Sequence, residues 1–289
     1  MGSLPASLSM VLSALSFSLM GVCVKHLGGR LPVAEVVFGR AVISLLLSGW
    51  MLHRAGLSPW GRHRGLLALR GLLGTVALFG VYGGLAWLPL AAATVLQYLY
   101  PTFTAALAWG TLGERFGRRL GLAMLLGWAG VALLVHPVGS AGALPPLAPL
   151  GVLAAVTGAL FTALAYVSVR TLAGREHPLV IIFWFPLVSL PLALPPMLLQ
   201  PVWPQPSQLL WLVGVGVFTQ LGQLGLTGAL VRLPAARATA ISYVQVPMAA
   251  LWGWLWFAEP IGVNTAAGAA LVLLATLLSL TVARRQPAT

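Results

Sequence analysis

FGVYGGLAWLPLAAATVLQYLYPTFTAALAWGTLGE, residues 79–114, carries a pattern that the chain uses twice. An apolar run closes at Gly83-Gly84 and a tight Leu88-Pro89 turn follows. A second apolar run then carries Gln97, Tyr98, Tyr100 and Pro101 before ending at Gly113-Glu114. About 145 residues later, LGQLGLTGALVRLPAARATAISYVQVPMAALWGWLWFAE (221–259) restates it: the turn as Leu233-Pro234, the mid-run proline as Pro247, the closing glutamate as Glu259. Apolar segments broken by Gly or Pro at corresponding places in two halves point to the binding region of a transporter built from repeats.

The same offset holds outside these stretches. ALSFSLMGVCVKHL (14–27) falls on ALFTALAYVSVRTL (159–172) with six of fourteen positions identical, and Phe38, Ser44, Gly71 and Gly80 fall on Phe183, Ser189, Gly216 and Gly225. A period this long predicts two copies of one structural unit, over residues 1–140 and 146–285.

Composition says what surrounds them. The chain is 59% hydrophobic and 7% charged, with a mean hydropathy of +0.96; a soluble domain carries roughly a quarter charged residues. Too few polar groups are present to face water, so lipid must cover the surface. Ten apolar runs of spanning length are read at approximately 7–26, 33–52, 66–86, 91–110, 120–136, 149–170, 179–199, 209–230, 236–257 and 263–282. With no Lys or Arg before it, the first reads as a span and not as a cleaved signal peptide. The expectation is an all-α polytopic membrane protein of ten transmembrane helices. Five per copy is odd, so the second copy starts from the opposite face and the repeats are inverted.

The net charge of +12 is a topology signal, not a nucleic-acid surface, because the basic residues sit between apolar runs. Arg54, Arg62, Arg64 and Arg70, then Arg115, Arg118 and Arg119, then Arg170 and Arg175, Arg232 and Arg237, and Arg284 and Arg285 fall in alternate connections, against Lys25 and Arg30 on the other side. The positive-inside rule therefore puts both termini in the cytoplasm. Arg40 lies about a turn inside the second run, near Glu35. An intramembrane charge is a candidate functional group; a bridge to Glu35 or snorkelling to the interface are the other readings.

The four acidic residues, Glu35, Glu114, Glu176 and Glu259, all lie at run edges or in connections. No mid-span carboxylate is present to relay protons or sodium, no aspartate for an aspartyl protease, no HExxH and no nucleotide-binding loop. The single Cys23 excludes an internal disulfide. No histidine pair has metal-site spacing, and neither a cofactor nor an obligatory protein partner is implied.

Candidate binding residues follow from helical periodicity. Gly71, Thr75, Phe79, Tyr82 and Ala86 share one face of the third run; Gly216, Gln220, Gln223 and Thr227 share the matching face of the eighth. Glutamines near mid-membrane need a partner or water, so these faces either line a cavity or tie helices together. The fourth run offers Thr94, Gln97 and Tyr98, the ninth Thr239, Ser242 and Tyr243, the sixth Phe161 and Tyr166, and the first Ser13, Ser16 and Phe17. Pro101 and Pro247 free backbone carbonyls and are candidate hinges. Tyr100, Trp252, Trp254 and Trp256 suit an interfacial belt.

Ten helices in two five-helix copies, each closing its fourth helix with a mid-run proline and then Leu112-Gly113-Glu114 or Ala258-Glu259-Pro260, resemble the EamA family of the drug/metabolite transporter superfamily. LPVAEVVFGR, ending at Arg40, is also similar to that family; the second copy has Phe185 where the first has Arg40. The resemblance implies a central cavity between the repeats, alternating access and small organic solutes exported across the cytoplasmic (inner) membrane. Amino acids, aromatic ones included, lead; nucleotide-derived metabolites (purines, S-adenosylmethionine type) or a non-transporting membrane interaction protein are the alternatives.

Overall fold

The computed structural model describes residues 4–27, 31–87, 96–114, 117–135, 148–199, 201–257 and 263–281. The Leu88-Pro89 turn, Thr94 and Glu259 lie outside them. The first copy supplies α1 (Ala6–Leu27), α2 (Val33–Arg54), α3 (Arg64–Trp87), α4 (Tyr100–Leu112) and α5 (Arg118–Val135). The second supplies α6 (Pro149–Leu172), α7 (Pro178–Leu199), α8 (Pro206–Leu230), α9 (Ala235–Ile241), α10 (Gln245–Phe257) and α11 (Val263–Thr281). No strand occurs among the described residues. Six helices (within α1, α2, α3, α6, α7 and α8) are long and apolar enough to cross a membrane; at 1.5 Å per residue a 24-residue helix such as α3 reaches about 36 Å. Where lipid is the solvent, helix satisfies every backbone group internally, and eight of the ten runs match their helices to within about three residues; the fourth and the ninth are the exceptions.

The ninth run is interrupted. Pro247 has no N–H to give the Tyr243 carbonyl four residues back, and a 3₁₀ turn, Ser242–Val244, stands there between α9 and α10. In the fourth run a turn at Tyr98 and Leu99 likewise precedes Pro101 in the first turn of α4. Four prolines, Pro186, Pro191, Pro195 and Pro196, sit inside α7 without ending it.

Packing follows the repeat pair by pair. α3 lies on α6 as α8 lies on α1; α3 meets α7 as α8 meets α2; α4 meets α6 as α10 meets α1; α2 pairs with α7 and α5 with α11. The agreement reaches single atoms. A Cβ on Gly71 would stand 2.7 Å from the Val188 Cβ, and one on Gly216 would stand 2.5 Å from the Ile43 Cβ. A Cβ on Gly80 would lie 2.7 Å from the Gly158 Cα and 2.9 Å from the Ala154 oxygen; its mate Gly225 meets Ser13 and the Ser9 oxygen. Each copy therefore packs its third helix against the other copy's first and second.

One end of the bundle gathers the charged connections. Glu114, just past the left-handed Gly113 (φ 66), accepts from Arg170 Nε at 2.7 Å and from the Ala235 N–H at 2.8 Å. Arg170 also donates to the carbonyls of Leu230 (3.4 Å) and Val231 (3.2 Å). A cleft of about 340 Å³ opens beside this cluster, lined by Leu112, Glu114, Arg170, Thr171, Ala173 and Arg175. Arg232 donates to the Leu4 carbonyl at 2.7 Å and to Ser9 Oγ at 2.9 Å, which places the first residues of α1 at this end too.

Glu176, between α6 and α7, caps α3: its Oε1 accepts the backbone N–H groups of Arg62 (2.6 Å) and His63 and lies 3.1 Å from His63 Nδ1. Burial pushes the Glu176 carboxyl up, but the donors from His63 and Arg62 outweigh it and hold the group below its ordinary value. A depressed carboxyl contributes stability above its unfolded pKa, and that contribution disappears as pH falls through the folded value. On acidification from neutral to below about pH 4, the melting temperature should therefore fall more steeply in the native chain than in Glu176→Gln; equal slopes would remove the cap from the stability account.

Candidate functional site

Two buried arginines stand about a third of the way along their helices. Arg40 on α2 and Arg70 on α3 are 6% and 2% exposed. Both lie against the ring of Phe185 on α7, with Cζ-to-centroid distances of 5.1 Å for Arg40 and 4.2 Å for Arg70. Phe185 is the residue that the repeat offset puts at the Arg40 position, so α2 and α7 bring matching positions of the two copies together. Gly74 leaves the room: a Cβ there would stand 2.8 Å from Phe185 Cε2. Arg70 Nη2 donates to Gln223 Oε1 on α8 at 2.9 Å, while its Nε and Nη1 are buried without a partner. The Tyr82 phenol lies within electrostatic range of Arg40, and the Tyr166 phenol and the charge on Arg40 lie within electrostatic range of Arg70.

Burying a guanidinium without a counter-charge costs several kcal/mol, roughly 3–5 when a partner is removed from a pair. Among the described residues no carboxylate reaches either arginine. Glu114 bonds Arg170, Glu176 caps α3, and Glu35 takes the Val202 backbone while its Oε2 stays unpartnered. Arg40 therefore neither bridges to Glu35 nor snorkels outward; it points in.

Beside the arginines lies a cluster of tyrosines. Tyr98 and its repeat mate Tyr243 stack with centroids 5.9 Å apart; Tyr98 and Tyr100 are 6.0 Å apart; Tyr100 meets Tyr166 edge-on at 5.5 Å. Tyr100 also hydrogen-bonds Ser242 across the two copies. With Tyr82 facing Arg40, all five tyrosines of the chain stand around the centre. Tyr166 links the groups, its ring against Tyr100 and within electrostatic range of Arg70. Tyr166 and Tyr82 are only partly buried, whereas Tyr98, Tyr100 and Tyr243 are buried.

These contacts sort the sequence expectations. Tyr82, Tyr98, Tyr166, Gln223 and Tyr243 meet at the centre. Thr75 is instead consumed by packing: it donates to the Gly71 carbonyl at 2.8 Å and shares a 2.7 Å hydrogen bond with Ser189 on α7. Gln220 turns to α2, its Nε2 3.9 Å from Met51 Sδ. Phe79, Gln97 and Phe161 are partly buried and make no hydrogen bond or ring contact among the described residues. The expected interfacial place of Tyr100 is corrected, since its hydroxyl finds Ser242 inside the bundle. Trp254 and Trp256, at 50% and 53% exposed, do face outward, while Trp252 donates to Ser18 Oγ at 2.9 Å.

Arg70 is a second correction. Assigned above to a connection, it lies within α3 and is buried. The signal was there in RGLLALRGLLG (64–74), where Arg70 has apolar residues on both sides.

Comparison with known proteins extends over the whole bundle. A model of the EamA-like transporter family matches residues 4–136 and again residues 149–281. The chain is similar to the pseudopaline exporter CntI of Pseudomonas aeruginosa, at 32% identity over 269 residues, covering 92% of this chain and 93% of that one. It is similar to the riboflavin transporter of Rhizobium johnstonii at 30% identity over 289 residues, covering 94% of this chain and 89% of that one. A solved crystal structure shares the fold at a TM-score of 0.86 over 97% of this chain and 98% of that one, at 21% identity. Matched through both halves of its sequence, the chain belongs to the EamA-like transporter family of the drug/metabolite transporter superfamily, a family of multi-pass membrane transporters and not of enzymes.

Proposed function

We propose that this protein is a secondary transporter that exports small organic metabolites, with amino acids, aromatic ones included, as the leading class. It works across the cytoplasmic membrane, both termini inside, by alternating access between two inverted repeats. The observation that carries this reading is the ring-to-ring cluster of Tyr98, Tyr100, Tyr166 and Tyr243, drawn from both copies and standing beside the buried arginines. Tyrosine joins a flat apolar face to a polar tip, which suits a planar solute with polar edges, and a scaffold protein has no use for such a lining. The relatives named as a pseudopaline exporter and a riboflavin transporter support organic solutes, and the first supports export. The breaks before Pro101 and at Ser242–Val244 are the hinges of the cycle.

The test is flux in proteoliposomes with a panel of amino acids and nucleosides, with and without a pH gradient. Saturable flux is expected for an aromatic amino acid. Tyr82→Ala and Tyr166→Ala should each reduce it about tenfold, the scale of a lost ring contact and hydroxyl, while the chain stays folded in the membrane. Flux unchanged in both variants would take these tyrosines out of the site, and no flux for any solute would favour an interaction protein.

A further inference from the structure

We infer that Arg70, with Arg40 beside it, is a carboxylate-binding subsite, so that the transported solute carries at least one carboxylate. The inference rests on the transporter reading and narrows it to a substrate class. Arg70 brings a permanent charge into the middle of the bundle, is 2% exposed, and holds Nε and Nη1 with no acceptor. Each of these atoms shares an edge with Nη2, which has two hydrogens and gives one to Gln223, so one edge of the guanidinium still presents two free N–H donors to the two oxygens of a carboxylate. Arg40 stands across the same Phe185 ring, and Arg70 feels its charge.

Two like charges held together in an apolar interior repel one another and lack a counter-ion. A bound anion removes both penalties, which gives the solute's acid group a driving force that a neutral group does not have. An arginine buried only for structure is normally paired with an acidic side chain or with backbone carbonyls, and Arg70 Nε and Nη1 meet neither. Here the described glutamates are engaged elsewhere or stand apart from the pair, Glu114 with Arg170 and Glu176 with Arg62 and His63.

The surroundings say which kind of anion. Tyr166 lies within electrostatic range of Arg70 and meets Tyr100 edge-on with its ring. A carboxylate on Arg70 therefore lies next to the tyrosine cluster, where the organic part of the same molecule finds rings to pack on. An inorganic anion has no use for that second half of the site.

The experiment is a thermal-stability titration of the full-length purified chain with phenylacetate, phenylacetamide, inorganic phosphate and chloride, run beside proteoliposome flux of phenylalanine and its carboxamide. Phenylacetate is expected to raise the melting temperature, with phenylacetamide about 10- to 100-fold weaker, the worth of charge-assisted hydrogen bonds. Arg70→Gln should abolish that preference, and Arg70→Lys should restore part of it, because lysine keeps the charge and loses the fork. Arg40→Gln should weaken phenylacetate without equalising the two ligands, and it serves alone if Arg70→Gln does not fold. Equal responses to acid and amide, no response to the acid, a preference that survives Arg70→Gln, or phosphate and chloride as effective as phenylacetate would each overturn the subsite. Flux of neutral solutes with no acid response would sink the subsite and keep the transporter. An Arg70-dependent acid response with no flux of any solute would do the reverse.

Discussion

Gly80→Leu should leave little folded protein. The Gly80 backbone lies against that of Gly158 where α3 crosses α6, and even a Cβ would stand 2.7 Å from the Gly158 Cα and N. The obstacle is backbone, which cannot rotate out of the way, so the helices must separate along the crossing. Overpacking by a few methylenes costs about 1–3 kcal/mol in a core that can adjust. Leucine here exceeds that scale, against a whole stability of roughly 5–15 kcal/mol. Gly80→Ala should be milder but clearly destabilising, and Gly225→Ala, its mate against Ser9 and Ser13, should behave alike. Gly21→Ala is the control: nothing lies within 4 Å of a Cβ there, and alanine favours helix by up to about 1 kcal/mol. Size-exclusion profiles and melting temperatures in detergent measure all four. A monodisperse Gly80→Leu chain melting near the parent would show that the crossing is looser than described.

Removing the Glu114 carboxylate should unfasten one end of the bundle. Glu114 holds Arg170 and the Ala235 N–H together, joining the end of α4 to α6 and to the start of α9. Glu114→Ala strands a guanidinium that is only partly exposed and a buried N–H, a loss of about 2 kcal/mol on the scale of charged hydrogen bonds. On the proposed alternating-access cycle this contact opens, and the same 2 kcal/mol then shifts the closed-to-open balance about 30-fold. Cys23 is the only cysteine, and with Cys23→Ser in place a single reporter can be set at Ala235→Cys, a fully buried position. Its labelling by a membrane-impermeant maleimide should accelerate by about that factor in Glu114→Ala. An unchanged rate would show that Glu114 does not hold this end shut.

The helices and their two-fold repetition were legible because lipid imposes the first and the offset shows the second: apolar runs have to be helical, and a constant offset has to bring Gly71 and Gly216 to equivalent positions. The break at Ser242–Val244 was legible from Pro247. What the sequence hid was which neighbour each polar face meets. Periodicity put Thr75 and Tyr82 on one face, yet Thr75 is spent on Ser189 and Tyr82 looks to Arg40. Gln220 and Gln223 are one turn apart, yet one turns to Met51 and the other to Arg70. A helical wheel fixes direction around one axis and says nothing of the other helices. Arg70 was missed for a further reason: basic residues near a span end read as topology marks, and only burial distinguishes one that has turned inward.

The meeting of Arg40 with Phe185 also bears on how such a bundle comes to be a single chain. A pair of separate, identical five-helix subunits would place arginine against arginine at that contact, two bare charges with no ring between them. Joining the halves covalently lets the two positions differ, and the phenylalanine accepts over its face the charge that a second arginine would repel. The molecule is in this respect like a fused dimer in which the two equivalent positions are free to differ. Restoring the symmetry, with arginine at both positions, would recreate the contact that the joined chain avoids.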